Sequence, residues 1–309
     1  MKKIRFEPER NGFHGVFYPC RKDTDSAIIL MLGDSSEDLM AKCGVKWLHG
    51  QGVHVLAMSP AEKDYGHHEY PLERFEEAIR WLHLHGCTKI GIAGASTTGM
   101  LALCAASFFD GITLTIALTP CDFVMEGFYR DGKDGAKERP GDFESSVSYR
   151  GKGLPFLPYA YRHPDYWNMI QKESKESGNM IASRNLFDES EKRHPLKEEE
   201  MIQIEKIKGK IICIGAEDDA LWDTCRYIRR MEQRLSERPH ESSFEAYTYE
   251  HGTHFVFPQS LLTKALPAGS GLFISMMFKA AKEYPKECLE TRKDIDKTLR
   301  KAISEWKAE

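Results

Sequence analysis

The chain has 309 residues, 41% of them hydrophobic and 29% charged, with 43 Lys and Arg against 47 Asp and Glu for a formal net charge of -4 and a mean hydropathy of -0.49. Such proportions exclude disordered and collagen-like chains and leave a soluble protein long enough to bury a large core. A charge this close to neutral supplies no field for a phosphate backbone or anionic lipid, so neither nucleic acid nor membrane is an expected partner.

In chain order, positions 1–10 carry two lysines and then Phe-Glu-Pro-Glu-Arg without an apolar stretch, so no secretory signal is expected. Short apolar runs follow at 27–32, 53–58, 89–93, 112–118 and 211–214, the pattern of strands buried on both faces of a parallel sheet. Helical stretches alternate with them at 38–50 and 71–85, the second with Leu72, Phe75, Ala78, Ile79 and Leu82 on one stripe, a proline in its first turn and Gly86 at its stop. The segment 99–121 is nearly apolar, but Asp110-Gly111 divides it into a helix-length and a strand-length piece, which argues against a membrane span. Strand and helix in alternation predict a three-layer α/β domain spanning 1–309.

The alternation breaks after Pro120. Positions 121–203 mix turns at 131–135 and 140–142, the aromatics Phe156, Tyr159, Tyr161, Tyr166 and Trp167, and charged runs at 172–177 and 189–200, a composition that reads as a lid inserted into the domain. Alternation resumes with a strand at 210–215, a helix at 224–235, a strand at 244–249 and a helix at 272–281. The tail 288–306 places Leu289, Ile295, Leu299, Ile303 and Trp306 at helical spacing. The eight cysteines, Cys20, Cys43, Cys87, Cys104, Cys121, Cys213, Cys225 and Cys288, form no C-x-x-C pair and sit mostly in apolar runs, so free buried thiols and a cytoplasmic location are expected.

The sharpest local feature is Gly94-Ala95-Ser96-Thr97-Thr98-Gly99, between a strand and a helix. This is the context of a nucleophile elbow, in which a strained turn lifts the Ser96 hydroxyl above the sheet. Thr98 departs from the pattern, because a β-branched residue stands where a glycine would let strand and helix approach. A serine nucleophile needs a histidine to take its proton and an acid to orient that histidine, and both occur downstream at strand ends. The acid is Asp219, with Asp218 as the alternative in the same turn, and the histidine is His254, preferred to His251 because apolar Phe255-Val256-Phe257 follows it. The order Ser, Asp, His is that of α/β-hydrolases. For the oxyanion, backbone N–H groups are expected from Thr97 and from the Gly33-Asp34 loop, with the Asp34 side chain turned away, where it can cap the helix that Ser35 to Asp38 begins. His67, His68, His83 and His85 lack a matching Cys or carboxylate pattern, and no phosphate-binding glycine loop occurs, so no metal and no cofactor are expected.

These residues resemble the C-terminal domain of the acyl-CoA thioesterase and bile-acid-CoA:amino-acid N-acyltransferase family, an α/β-hydrolase family, in its stand-alone bacterial form. The matching pieces are Gly94-x-Ser96, the run SYRGKGLPFLP at 148–158, IEKIKGK at 204–210 leading into DDALW at 218–222, and Gly252-Thr253-His254. The resemblance implies that Ser96, Asp219 and His254 are nucleophile, acid and base, and that the substrate is an acyl-CoA thioester, with hydrolysis favoured because the amino-acid-transferring relatives carry cysteine at the nucleophile position. It also implies that the animal enzymes' N-terminal β-sandwich is absent, which leaves CoA recognition without an assigned element; Arg150, Lys152, Lys206 and Lys208 are the candidates if folded together. Two competing readings remain: a serine peptidase or amidase of the same fold, and a catalytically silent binding protein.

Overall fold

The computed structural model describes residues 2–62, 67–129, 139–265 and 269–309. The N-terminal part runs β1 (Ile4–Phe6), α1 (Pro8–Asn11), β2 (Gly15–Tyr18), β3 (Ser26–Met31), α2 (Leu39–Gly50), β4 (His54–Ala57), β5 (Tyr70–Pro71), α3 (Glu73–Leu84), β6 (Lys89–Ala95), α4 (Thr97–Phe108) and β7 (Leu114–Leu118). The segment 121–203 contributes β8 (Glu126–Tyr129), β9 (Arg139–Ser145), β10 (Val147–Tyr149), β11 (Lys152–Gly153), α5 (Asp165–Ser177) and α6 (Arg184–Arg193). The chain closes with β12 (Lys210–Ala216), α7 (Thr224–Glu237), β13 (Ser243–Tyr249), α8 (Gln259–Ala265), α9 (Ser270–Met277), α10 (Lys279–Glu283) and α11 (Pro285–Ala308).

The main sheet has eight strands in the order β1-β2-β4-β3-β6-β7-β12-β13. Pairing is parallel from β4 through β13, and only β2, antiparallel to both β1 and β4, runs against the rest. Every residue of β3 and β7 is buried, because helices cover both faces of the sheet. Ile29 and Met31 pack with Phe75, Met100, Tyr227 and Met231 of α3, α4 and α7. Ile28 and Leu30 face the other way, onto Trp47 and Leu48 of α2 and Leu299, Ile303 and Trp306 of α11. Successive strand residues therefore serve two opposite cores, the physical reason for their unbroken apolar runs.

Several elements depart from the sequence expectations. The hairpin β1–β2 was not anticipated, because both strands are short and their pattern is interrupted by Glu7 and Pro8. The helix expected over 272–281 is broken at Phe278, whose backbone is extended at φ -128° and ψ 127° while its side chain is buried. Burying that ring against α11 outweighs continuing the helix. Segment 121–203 forms one two-stranded sheet, β8–β9, gives β10 and β11 to a three-stranded sheet completed by β5, and adds α5 and α6, and the turn expected at 131–135 lies outside the described residues. The segment is tied to the main domain by Asp122, whose buried carboxylate takes Arg230 of α7 at 2.5 and 2.7 Å while Arg230 also meets Glu191 of α6 at 2.5 Å. Among the described residues no helix is long and apolar enough to cross a membrane, and all eight cysteines are free and buried.

Candidate active site

Crossing from β6 into α4 requires the chain to reverse within one residue, and Ser96 does so at φ 60° and ψ -130°, a conformation that L-residues rarely hold. The turn is held because the Ser96 N–H donates to the Leu118 carbonyl of β7 at 2.8 Å and the Ser96 carbonyl accepts from the Gly99 N–H at 2.8 Å. Gly94 and Gly99 are the close-approach positions: a Cβ on Gly94 would lie 2.0 Å from the Thr98 carbonyl oxygen, and one on Gly99 2.9 Å from that of Leu118. The crowding expected at Thr98 is therefore absent. Its hydroxyl instead accepts from the Ala95 N–H at 2.9 Å and lies 2.9 Å from the Met31 carbonyl and 2.8 Å from that of Ala95, so it fastens the elbow to β3.

The two acidic residues after β12 have different partners. Asp219 is buried, with its carboxylate 2.8 and 3.0 Å from His254 Nδ1. It also accepts from the Thr224 hydroxyl at 2.6 Å and the Leu221 N–H at 2.9 Å. Asp218 reaches the histidine loop instead: it accepts the N–H groups of Gly252 at 3.0 Å and Thr253 at 2.7 Å, and meets His251 Nδ1 at 3.3 Å. Thr253 holds φ +59°, and the Asp218 contact sits on that strained residue. His251 stacks on Tyr284 with ring centroids 3.7 Å apart. A carboxylate on Nδ1 fixes the proton there and leaves the Nε2 lone pair to act as a base. His254 Nε2 is buried and has no hydrogen-bond partner among the described residues.

Ser96 and His254 line one cavity of about 660 Å³, together with apolar and aromatic side chains from segment 121–203, including Met125, Phe128, Trp167 and Phe187. Trp222 packs edge-on against the His254 ring at 4.9 Å, and its Nε1 donates to the Thr119 carbonyl at 3.1 Å. The expected oxyanion donors Thr97, Gly33 and Asp34 also line the cavity. Of these, the Asp34 N–H is committed to the Asp38 carboxylate at 2.7 Å, which withdraws it as a donor to substrate. The helix cap expected near Asp34 and Ser35 is Asp38, which accepts the Ala41 N–H at 2.8 Å. Gly33 sits at φ +87° against the same carboxylate, where a Cβ would fall 2.3 Å from an Asp38 oxygen. Thr97 opens α4, where the N–H groups of the first turn have no intrahelical acceptor. Lys206 and Lys208 precede β12 and therefore sit at the amino edge of the parallel sheet, opposite Ser96, so they do not join this site.

Sequence reasoning did not find Thr224 or Arg184. Thr224 lies five positions after Asp219 at the start of α7, the spacing that returns a helix N-terminus to the preceding turn. Arg184, at the start of α6, donates to the carbonyls of Glu217 at 2.9 Å and Asp219 at 3.3 Å, so segment 121–203 braces the acidic turn from outside the sheet.

A mostly parallel sheet with a serine elbow, an acidic turn and a histidine loop at successive strand ends defines an α/β-hydrolase. The family described as BAAT / Acyl-CoA thioester hydrolase C terminal matches residues 70–261, more than half of the chain, and the chain belongs to that family of hydrolases. Among solved structures, a putative dienelactone hydrolase from Klebsiella pneumoniae subsp. pneumoniae aligns over 100% of this chain and 98% of its own at 9% identity and a TM-score of 0.50, which agrees on the fold. An esterase domain from Rhodothermus marinus aligns over 97% and 98% at 12% identity and a TM-score of 0.47, and an esterase from Pyrococcus furiosus over 91% and 96% at 13% identity and 0.45. No curated protein matches the sequence.

Proposed function

We propose that the protein is a serine hydrolase that cleaves acyl thioesters of the acyl-CoA class, or related carboxylic esters, through an acyl-enzyme on Ser96. The observation that carries this reading is the buried Asp219–His254 pair, whose unpartnered Nε2 lines the same apolar cavity as the Ser96 elbow. His254 Nε2 takes the Ser96 proton as Oγ attacks the acyl carbonyl, and the N–H groups at Thr97 and Gly33 stabilise the oxyanion. The collapsing intermediate expels the thiol or alcohol, which leaves with the proton held on His254. Water then gives a proton to His254 and attacks the acyl-enzyme; the second intermediate collapses to free acid, and Ser96 recovers its hydrogen. The apolar lining supports an acyl chain as the buried half of the substrate. On this reading segment 121–203 is a lid over the acyl group, and the free, buried cysteines fit a reducing cytoplasm.

The test is hydrolysis of short- to long-chain acyl-CoAs beside matched p-nitrophenyl esters, with wild type and Ser96→Ala. Loss of at least about a thousandfold of thioester hydrolysis in Ser96→Ala is expected. Activity on simple esters alone would remove the CoA part of the reading, amide cleavage would move it to a peptidase, and Ser96-independent turnover would end it.

A further inference from the structure

Two residues lining the cavity carry a buried side-chain polar atom that has no hydrogen-bond partner among the described residues. One is His254, whose Nε2 the proposed mechanism uses. The other is Thr119, which it does not use.

Thr119 stands directly after β7, between the strand that ends in the elbow and the strand that ends in the acidic turn. The Ser96 N–H bonds the carbonyl of Leu118, one residue before Thr119, and the Thr119 N–H bonds the Ile214 carbonyl of β12 at 2.7 Å. Its own carbonyl accepts from Trp222 Nε1, the ring that packs on His254. Thr119 is thus fixed by both its backbone N–H and its carbonyl, 1% exposed, at φ +43°, a left-handed conformation that is strained for a β-branched residue. A glycine or asparagine would hold that conformation at lower cost, and a valine would fill the same volume without burying a hydroxyl. Two other hydroxyls in the lining do have partners: that of Ser183 donates to the Leu221 carbonyl at 2.8 Å, and that of Thr98 fastens the elbow. A buried hydroxyl that bonds nothing among the described residues, in a site held this firmly, is accounted for if its partner arrives with the ligand.

We propose that Thr119 is a specificity-determining residue whose hydroxyl pairs with an oxygen substituent on the acyl group, one or two carbons from the reacting carbonyl, so that the cavity selects hydroxy- or oxo-acyl groups over plain alkyl ones. The inference rests on the acyl-hydrolase reading of the cavity. The choice of position rests on the backbone: Thr119 follows the residue whose carbonyl holds the Ser96 N–H, and Thr119 and Ser96 line the same cavity with apolar side chains such as Met125, Phe128 and Phe187.

The test compares octanoate with 2-hydroxyoctanoate and 3-hydroxyoctanoate in two ways. Binding of the free acids is measured calorimetrically in a Ser96→Ala background, and kcat/KM is measured for the matching thioesters with Ser96 in place. A hydroxylated acid is expected to bind at least about tenfold tighter than octanoate, the worth of one good buried hydrogen bond. Thr119→Val should bring that ratio to within about twofold of one, and Thr119→Ser should restore it. Thr119→Val should also unfold at no lower temperature than its parent, because the hydroxyl it removes bonds nothing among the described residues. The proposal is overturned if none of the acids binds, if neither hydroxylated acid is preferred, if the preference survives Thr119→Val, or if that variant unfolds markedly earlier with the ratio unchanged. A Thr119-dependent binding preference without any hydrolysis would instead refute the function proposed above and leave only the pairing of the Thr119 hydroxyl with a hydroxylated acid.

Discussion

Asp218 and Asp219 are neighbours in one turn, and the structure predicts opposite consequences for losing them. Replacing Asp218 by Ala removes the acceptor of the Gly252 and Thr253 N–H groups, at 3.0 and 2.7 Å. Hydrogen bonds to a charged acceptor contribute about 1.5–3 kcal/mol each, and two on one loop do not add fully, so a loss of about 2–4 kcal/mol is expected. In a chain of this size that lowers Tm by about 3–6 °C. His254 keeps its own carboxylate, so kcat should fall no more than about a hundredfold. Asp219→Asn has the reverse profile. The Leu221 N–H and the Thr224 hydroxyl bond different carboxylate oxygens, so the amide oxygen keeps the Leu221 N–H while the Thr224 hydroxyl turns to accept from the amide N–H and the Tm loss is small, but an amide N–H facing Nδ1 imposes the wrong tautomer on His254, and kcat should drop about ten-thousandfold. Thermal unfolding by circular dichroism and thioester turnover, measured on both variants, give the comparison. A ten-thousandfold loss in Asp218→Ala with unchanged Tm, or more than about a tenth of wild-type activity in Asp219→Asn, would refute the assignment.

Three further outcomes follow from the geometry. Thr98→Val keeps the shape but leaves the Ala95 N–H without its acceptor, so urea unfolding should show a loss of about 1–3 kcal/mol, and turnover should fall with it as the elbow loosens; a neutral result would show that the threonine hydroxyl is dispensable. Gly94→Ala places a methyl 2.0 Å from the Thr98 carbonyl oxygen, backbone against backbone, and should cost at least about 3 kcal/mol or prevent folding, as judged by soluble yield and near-UV dichroism. The Arg234 guanidinium, aided by Arg238, holds the Glu198 carboxyl down to about 2 from an ordinary 4.5. Because the folded-state value is depressed, its stabilisation is present above pH 4.5 and is lost as pH falls towards 2, so Glu198→Gln should flatten Tm against pH in that window. A wild-type slope retained in the variant would assign the acid sensitivity elsewhere.

The parts of this site that were legible in the sequence are those with a local signature. The strands that lead into Ser96 and Asp219 are largely buried, so their apolar runs stood out, and the elbow was marked by small residues at a strand–helix junction, whereas β13, ahead of the His254 loop, is a half-exposed edge strand without such a run. The choice between Asp218 and Asp219 was not fully local. Adjacent residues in a turn aim their carboxylates differently, and only the folded histidine loop separates the one on a ring nitrogen from the one on backbone N–H groups. Thr98 was misjudged because the elbow pattern records which residue stands near the crossing, whereas the close contacts here fall on Gly94 and Gly99. Asp34 was misread for a related reason: Asp38 collects the N–H groups of Asp34, Ser35 and Ala41, a convergence that no periodicity encodes. The secondary structure of segment 121–203 was not legible, because its short strands pair with residues distant in sequence, β10 with β5 for example.

In the proposed mechanism Ser96 is a nucleophile activated by His254. This is tested most directly by labelling the protein with a fluorophosphonate and mapping the adduct by peptide mass spectrometry, in wild type, Ser96→Ala and His254→Ala. Prompt stoichiometric phosphonylation of Ser96 is predicted, absent in Ser96→Ala and slowed at least about a hundredfold in His254→Ala. An unlabelled wild-type protein, or a label on Ser96 that forms equally fast without His254, would contradict it.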